Sequence, residues 1–165
     1  MGVSGHRLLA DPAQVATDVD AVLDDLATAH PAASFVAVSS LAEGADRIVA
    51  ERILARPDGA LEVFLPLPGD DYAIDFDGAA SRQMFNDLLV AADRVTVIPH
   101  DPADASREAA YARAGTAVVE ASDVLLALWD GLGARGRGGT AEVVAEARDL
   151  GIDVRVITVE RAVAG

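Results

Sequence analysis

The chain contains no cysteine. That absence removes disulfides, thiolate metal ligands and cysteine nucleophiles, and it leaves the redox compartment chemically open. No apolar run reaches the roughly 18 residues that a membrane-spanning helix needs. No basic segment followed by an apolar stretch opens the sequence, so no secretory signal is expected and a cytoplasmic setting is the default. Positive charge is scarce: 13 basic side chains against 27 acidic ones give a formal net charge of −14. Such acidity favours solubility and repels nucleic-acid backbones and anionic membranes, so neither is an expected partner. The three histidines, His6, His30 and His100, are too scattered to form a metal site. No glycine-rich stretch ends in Gly-Lys-Ser/Thr, and no Ser–His–Asp pattern surrounds a nucleophile elbow. No metal and no cofactor are expected.

What is present is apolar and periodic. Hydrophobic residues make up 52% of 165, enough for one compact domain over residues 1–165 with a sizeable core. Strands are expected at 1–4, 34–39, 61–66, 94–98, 122–128 and 153–159, each short and largely β-branched or aliphatic. Helices are expected at 12–29, 43–55, 78–91, 103–121 and 139–150. The first has Asp11 as N-cap and Pro12 at its first position, followed by Val15, Val19, Val22, Leu23 and Leu26 at helical spacing. Residues 67–77, rich in Pro, Gly and Asp, read as a long loop, and residues 163–165 as a frayed tail. Strands alternating with helices imply an α/β fold. The expectation is a doubly wound, mostly parallel sheet in a Rossmann-like three-layer sandwich. Ligands of such sheets bind at the carboxyl ends of the strands, where the strand order switches.

The unusual residues fall at those ends. Gly5, His6 and Arg7 follow the first strand. Ser39, Ser40 and Gly44 follow the second, and residues 66–72 the third. His100 follows the fourth, and Trp129 with the loop Gly136-Arg137-Gly138-Gly139-Thr140 follows the fifth. A glycine-rich strand-to-helix turn frees backbone N–H groups to face an anion, and the helix dipole adds partial positive charge. Phosphate is thus the expected ligand chemistry, with Arg7, Arg135 and Arg137 as local cations and Ser39 and Ser40 as hydroxyl donors. Each residue also has a plain structural reading. Ser40 and Asp46 suit helix capping, His6 a satisfied structural histidine, and Trp129, Tyr72 and Phe76 packing. Glu142 suits either a general base or a first-turn acid on the helix dipole.

Together Gly5-His6-Arg7, Ser39-Ser40-Leu41-Ala42-Glu43-Gly44-Ala45-Asp46, Ser122-Asp123 and Gly138-Gly139-Thr140-Ala141-Glu142 resemble the SLOG superfamily. That superfamily includes the LOG phosphoribohydrolases, once labelled lysine decarboxylases, the DNA-processing protein A group and the N-terminal domains of melastatin-type channels. The second segment resembles the Ser-Gly-x-Ala-x-Gly-x-Asp element of the DNA-processing group, and the last the Gly-Gly-x-Gly-Thr-x-x-Glu loop of the LOG enzymes. The resemblance implies a stand-alone nucleotide-binding domain, often a homodimer. Its ligand-binding residues would be Gly5, His6, Arg7, Ser39, Ser40, Gly44, Arg137, Gly138, Gly139 and Thr140. The position of the LOG catalytic glutamate is held by Val143, with Glu142 one residue early, about 100° around a helix. The LOG catalytic arginine would fall on Ala114, beside Arg113.

Three functions follow as expectations. The first is a domain that binds or senses a nucleotide or other phosphorylated small molecule. The second is a hydrolase of a nucleotide N-glycosidic bond, with Glu142 as base and Arg7 or Arg113 holding the phosphate. The third is a dimeric scaffold packed through Ala109, Ala112, Ala117 and Val118.

Overall fold

The computed structural model describes residues 1–133 and 138–162. Six strands form one all-parallel sheet: β1 (Gly2–Gly5), β2 (Val36–Ser39), β3 (Ala60–Leu65), β4 (Arg94–Val97), β5 (Val124–Trp129) and β6 (Asp153–Thr158). Their spatial order is β4-β3-β2-β1-β5-β6, so the chain winds outward from β1 on one side and then returns to build on the other. The helices are α1 (Pro12–Ala29), α2 (Ala45–Leu54), α3 (Gly69–Tyr72), α4 (Gly78–Ala91), α5 (Arg107–Glu120) and α6 (Thr140–Asp149). Contacts run α1 to α2 and α2 to α4 on one face, and α5 to α6 on the other. This is the expected doubly wound three-layer α/β sandwich, and the reversal lies between β1 and β5.

Alternating side chains of β5 feed the two faces. Leu126 and Leu128 join the larger cluster with Val19, Leu23, Val49 and Ile53, while Leu125 and Ala127 pack with Val119, Val143, Val144 and Ala147. β5 is buried on both faces because it lies inside the sheet. The outer strands β4 and β6 are largely exposed. Among the described residues, no helix is long and apolar enough to cross a membrane.

Most differences from the sequence reading have local causes. α1 matches, and Asp11 caps it by accepting the Gln14 N–H at 3.0 Å. α2 starts two residues later than expected, because Gly44 takes φ +76°, outside the helical region, and serves as its N-cap. α5 starts four residues late. Asp101 and Asp104 accept the amides of Ala103 and Ser106 in local turns, and Ser106 then caps the helix through the Ala109 N–H. The expected loop 67–77 contains α3 and a 3-10 turn (Ala73–Asp75). α4 matches the expected helix 78–91 end to end. α6 closes with Gly151 at φ +74°, and the Ile152 N–H reaches the Ala147 carbonyl in a Schellman closure.

Candidate functional site

A cleft of about 320 Å³ opens at the carboxyl ends of the strands, at the reversal between β1 and β5. Ser4, His6 and Arg7 contribute from the end of β1, and Ser40, Ala42 and Asp46 from the β2–α2 turn. Tyr72 of α3 and Tyr111, Ala114 and Gly115 of α5 form one wall. Gly138, Gly139, Thr140 and Val143 form the wall at the start of α6, with Trp129 and Arg161 nearby. Of the expected ligand residues, the structure therefore brings His6, Arg7, Ser40, Gly138, Gly139 and Thr140 to one cavity. Arg135, Gly136 and Arg137 lie outside the described residues.

The start of α6 has the backbone an anion site needs. Gly138 has φ +78°, and a Cβ there would sit 2.9 Å from the Ala112 amide nitrogen on α5. Only glycine lets this loop pass so close to the neighbouring helix. Gly139 is the N-cap in extended conformation, and no side chain caps the helix. The amides of Thr140 and Ala141 have no intrahelical acceptor by construction, and both residues line the cleft.

The β2–α2 turn is built around a buried carboxylate. Ser39, fully buried, donates its hydroxyl to Asp46 Oδ2 at 2.9 Å and accepts the Leu41 N–H at 2.9 Å. It fixes the turn and does not line the cleft. Gly5 and Gly44 also act through the backbone. A Cβ on Gly5 would meet Leu128 at 2.8 Å, and one on Gly44 would strike the carbonyl oxygens of Arg7 and His6. Ser40 does not cap α2, whose N-cap Gly44 has no side-chain partner. Asp46 is pushed up to about 6 by burial, against the lowering effect of hydrogen bonds from Ser39, Ala42 and Ser40 and the charge of Arg47.

The cations are already committed within the fold. Arg7 Nη2 donates to Glu43 Oε2 at 2.6 Å and to the Asp75 carbonyl at 2.8 Å. Arg161 Nε lies 2.6 Å from Asp130 Oδ2 and donates to His6 Nε2 at 3.2 Å. His6 Nε2 also accepts the Asp130 N–H at 3.1 Å. The same nitrogen lies 3.2 Å from Asp130 Oδ1. Burial alone would raise the Asp130 carboxyl, but the Leu132 amide, Arg161 and His6 bring it down to about 2. Among the described residues the ionisable side chains of the cleft, apart from its tyrosines, are Arg7, Arg161, His6 and Asp46, and both arginines are paired with acids, Glu43 and Asp130.

The two expected catalytic side chains sit elsewhere. Glu142 is exposed and ties the loop by accepting the Gly138 N–H at 2.7 Å; Ala141 and Val143, on either side, line the cleft. Arg113 donates to the Asp104 carbonyl at 3.3 Å, and it is Ala114 and Gly115 that face the cavity. Ala109 and Val118, expected on a dimer face, are buried within the chain.

Sequence reasoning missed how Tyr72 is held. Arg107 donates to Asp71 Oδ1 at 2.7 Å and Asp75 Oδ2 at 2.8 Å, and the Tyr111 hydroxyl also donates to Asp75. Burial raises Asp75, but these bonds carry it below the usual carboxylate range. The clasp pins residues 69–75 to α5 beside the cleft. Pro68 followed by Asp70 and Asp71 was the available signal for a helix start there. Beneath it Arg47 is buried, with its guanidinium 4.3 Å from the centre of the Phe76 ring. It donates to the Leu41 carbonyl at 3.0 Å and to Ser81 at 2.8 Å. Its Nη2 has no acceptor among the described residues.

No protein-family model matches the chain, and no curated protein is significantly similar to it.

Proposed function

We propose that the protein binds a nucleotide or nucleotide-derived phosphorylated small molecule in the cleft between β1 and β5. The observation that carries this reading is the uncapped start of α6. Its glycine turn, its first-turn amides and Thr140 meet a cavity at the sheet's switch point that Arg7 and Arg161 also line. The cavity lies at the small end of ligand sites, which suits a mononucleotide. The resemblance to SLOG domains points the same way. The phosphate belongs at Gly139, Thr140 and Ala141, and the flat apolar part of the ligand against Trp129 and Tyr111.

Binding without turnover is the reading preferred over N-glycosidic hydrolysis through Glu142, because that carboxylate does not line the cavity and accepts the Gly138 amide. A thermal-shift panel of nucleoside monophosphates, ADP-ribose, NAD and cyclic nucleotides tests the proposal. A ligand at a hundred times its Kd stabilises the fold by about 2.7 kcal/mol and raises the melting point. No stabilisation by any member of the panel contradicts it.

A further inference from the structure

The cleft contains a polar group that the fold itself does not use. Tyr72 is 5% exposed and its ring is locked among aromatics, with centroids 4.8 Å from Phe76 and 5.8 Å from Phe85. Its hydroxyl has no hydrogen-bond partner among the described residues, whereas the neighbouring Tyr111 hydroxyl is engaged with Arg107 and Asp75. The residue lines the cavity, and the hydroxyl is not sealed away from it. A tyrosine buried this deeply ordinarily finds a partner for its hydroxyl. Asp46 lines the same cavity, within electrostatic reach of Tyr72.

We propose that Tyr72 and Asp46 form a donor–acceptor pair that reads vicinal hydroxyls on the sugar of a phosphorylated ligand. This rests on the reading of the cleft as a phosphate-ligand site. The Tyr72 hydroxyl donates to one sugar oxygen, and the Asp46 carboxylate accepts from the adjacent hydroxyl. Burial, together with the charge of Asp46, keeps the Tyr72 proton in place. Ser39 and the turn amides hold the Asp46 carboxylate in place at the cavity wall. The Arg107 clasp fixes α3, so Tyr72 is preorganised and costs little ordering on binding. The pair therefore selects a ribose over a deoxyribose, because removing one hydroxyl leaves a desolvated protein group unpaired.

The test is calorimetric titration at pH 8, where Asp46 is ionised, with ribose 5-phosphate, 2-deoxyribose 5-phosphate and inorganic phosphate. Wild type, Tyr72→Phe and Asp46→Asn are compared. Tyr72→Phe keeps the ring packing and removes only the hydroxyl. Wild type should prefer ribose 5-phosphate by about tenfold; the preference should collapse in the variant that removes the partner of the 2-hydroxyl, and the other variant should weaken both sugars alike. Equal affinity for the two sugars in wild type, or an undiminished preference in both variants, overturns the pair while leaving the phosphate site standing. Failure of all three probes to bind overturns the phosphate reading and the pair with it.

Discussion

Replacing Asp46 with asparagine removes an ionisable group that the fold holds in an unfavourable state. Burial moves the carboxyl from its usual 3.8 to about 6. The native protein therefore binds the proton more tightly than the unfolded chain does. Stability from this group is fully present below about pH 4 and is lost as pH rises through about 6. Each pKa unit is worth about 1.4 kcal/mol, so the loss amounts to about 3 kcal/mol. Asparagine cannot ionise and keeps the shape and one acceptor oxygen. Urea denaturation of both proteins across about pH 4 to 8, followed by circular dichroism, measures the effect. The stability of Asp46→Asn relative to wild type should rise by about 3 kcal/mol over that range and level off above about pH 7. A flat difference, or one that falls with pH, refutes the reasoning. It would mean that the hydrogen bonds from Ser39, Ser40 and Ala42 outweigh the burial of the charge.

Gly44→Ala forces a side chain onto backbone carbonyls at φ +76° and should cost about 1–3 kcal/mol or more in denaturant titrations. An unchanged midpoint would contradict the close approach of α2 to the end of β1. Arg107→Ala opens the clasp to Asp71, Asp75 and Tyr111. Amide exchange should quicken across residues 69–77 and stay unchanged in α1; uniform exchange throughout would contradict a local clasp. Gly138→Ala should weaken ligand binding by about tenfold or more through displacement of the α6 start, whereas Glu142→Ala should change affinity by less than about fivefold. A larger loss in Glu142→Ala than in Gly138→Ala, read by the same titration, would return that carboxylate to the site.

The architecture was legible because its signals are periodic. The apolar runs of β2 and β5, the 3.6-residue spacing in α1, and glycine or proline at element ends are each set by local sterics and burial. The rim at the strand ends was legible for the same reason, since the winding rule places it once the strands are known. Side-chain commitments were not. Ser39 and Glu142 carry ligand-type chemistry, yet each is consumed by a bond within four to seven residues, to Asp46 and to the Gly138 amide. Arg7 and Arg107 are bound by acids 32 to 36 residues away, a pairing that no local pattern encodes. Tyr72 was ambiguous between core and ligand because its ring packs among aromatics while it lines the cavity, with a hydroxyl that has no partner among the described residues.

The proposed function places one small phosphorylated ligand in the cleft between β1 and β5. Titrating AMP into isotope-labelled protein and following the amide resonances tests it most directly. Saturable shifts are expected at Ser40, Tyr72, Gly138, Gly139, Thr140 and Ala141, with the exposed strand β4 unaffected. Shifts that saturate elsewhere while these six amides stay still would contradict it.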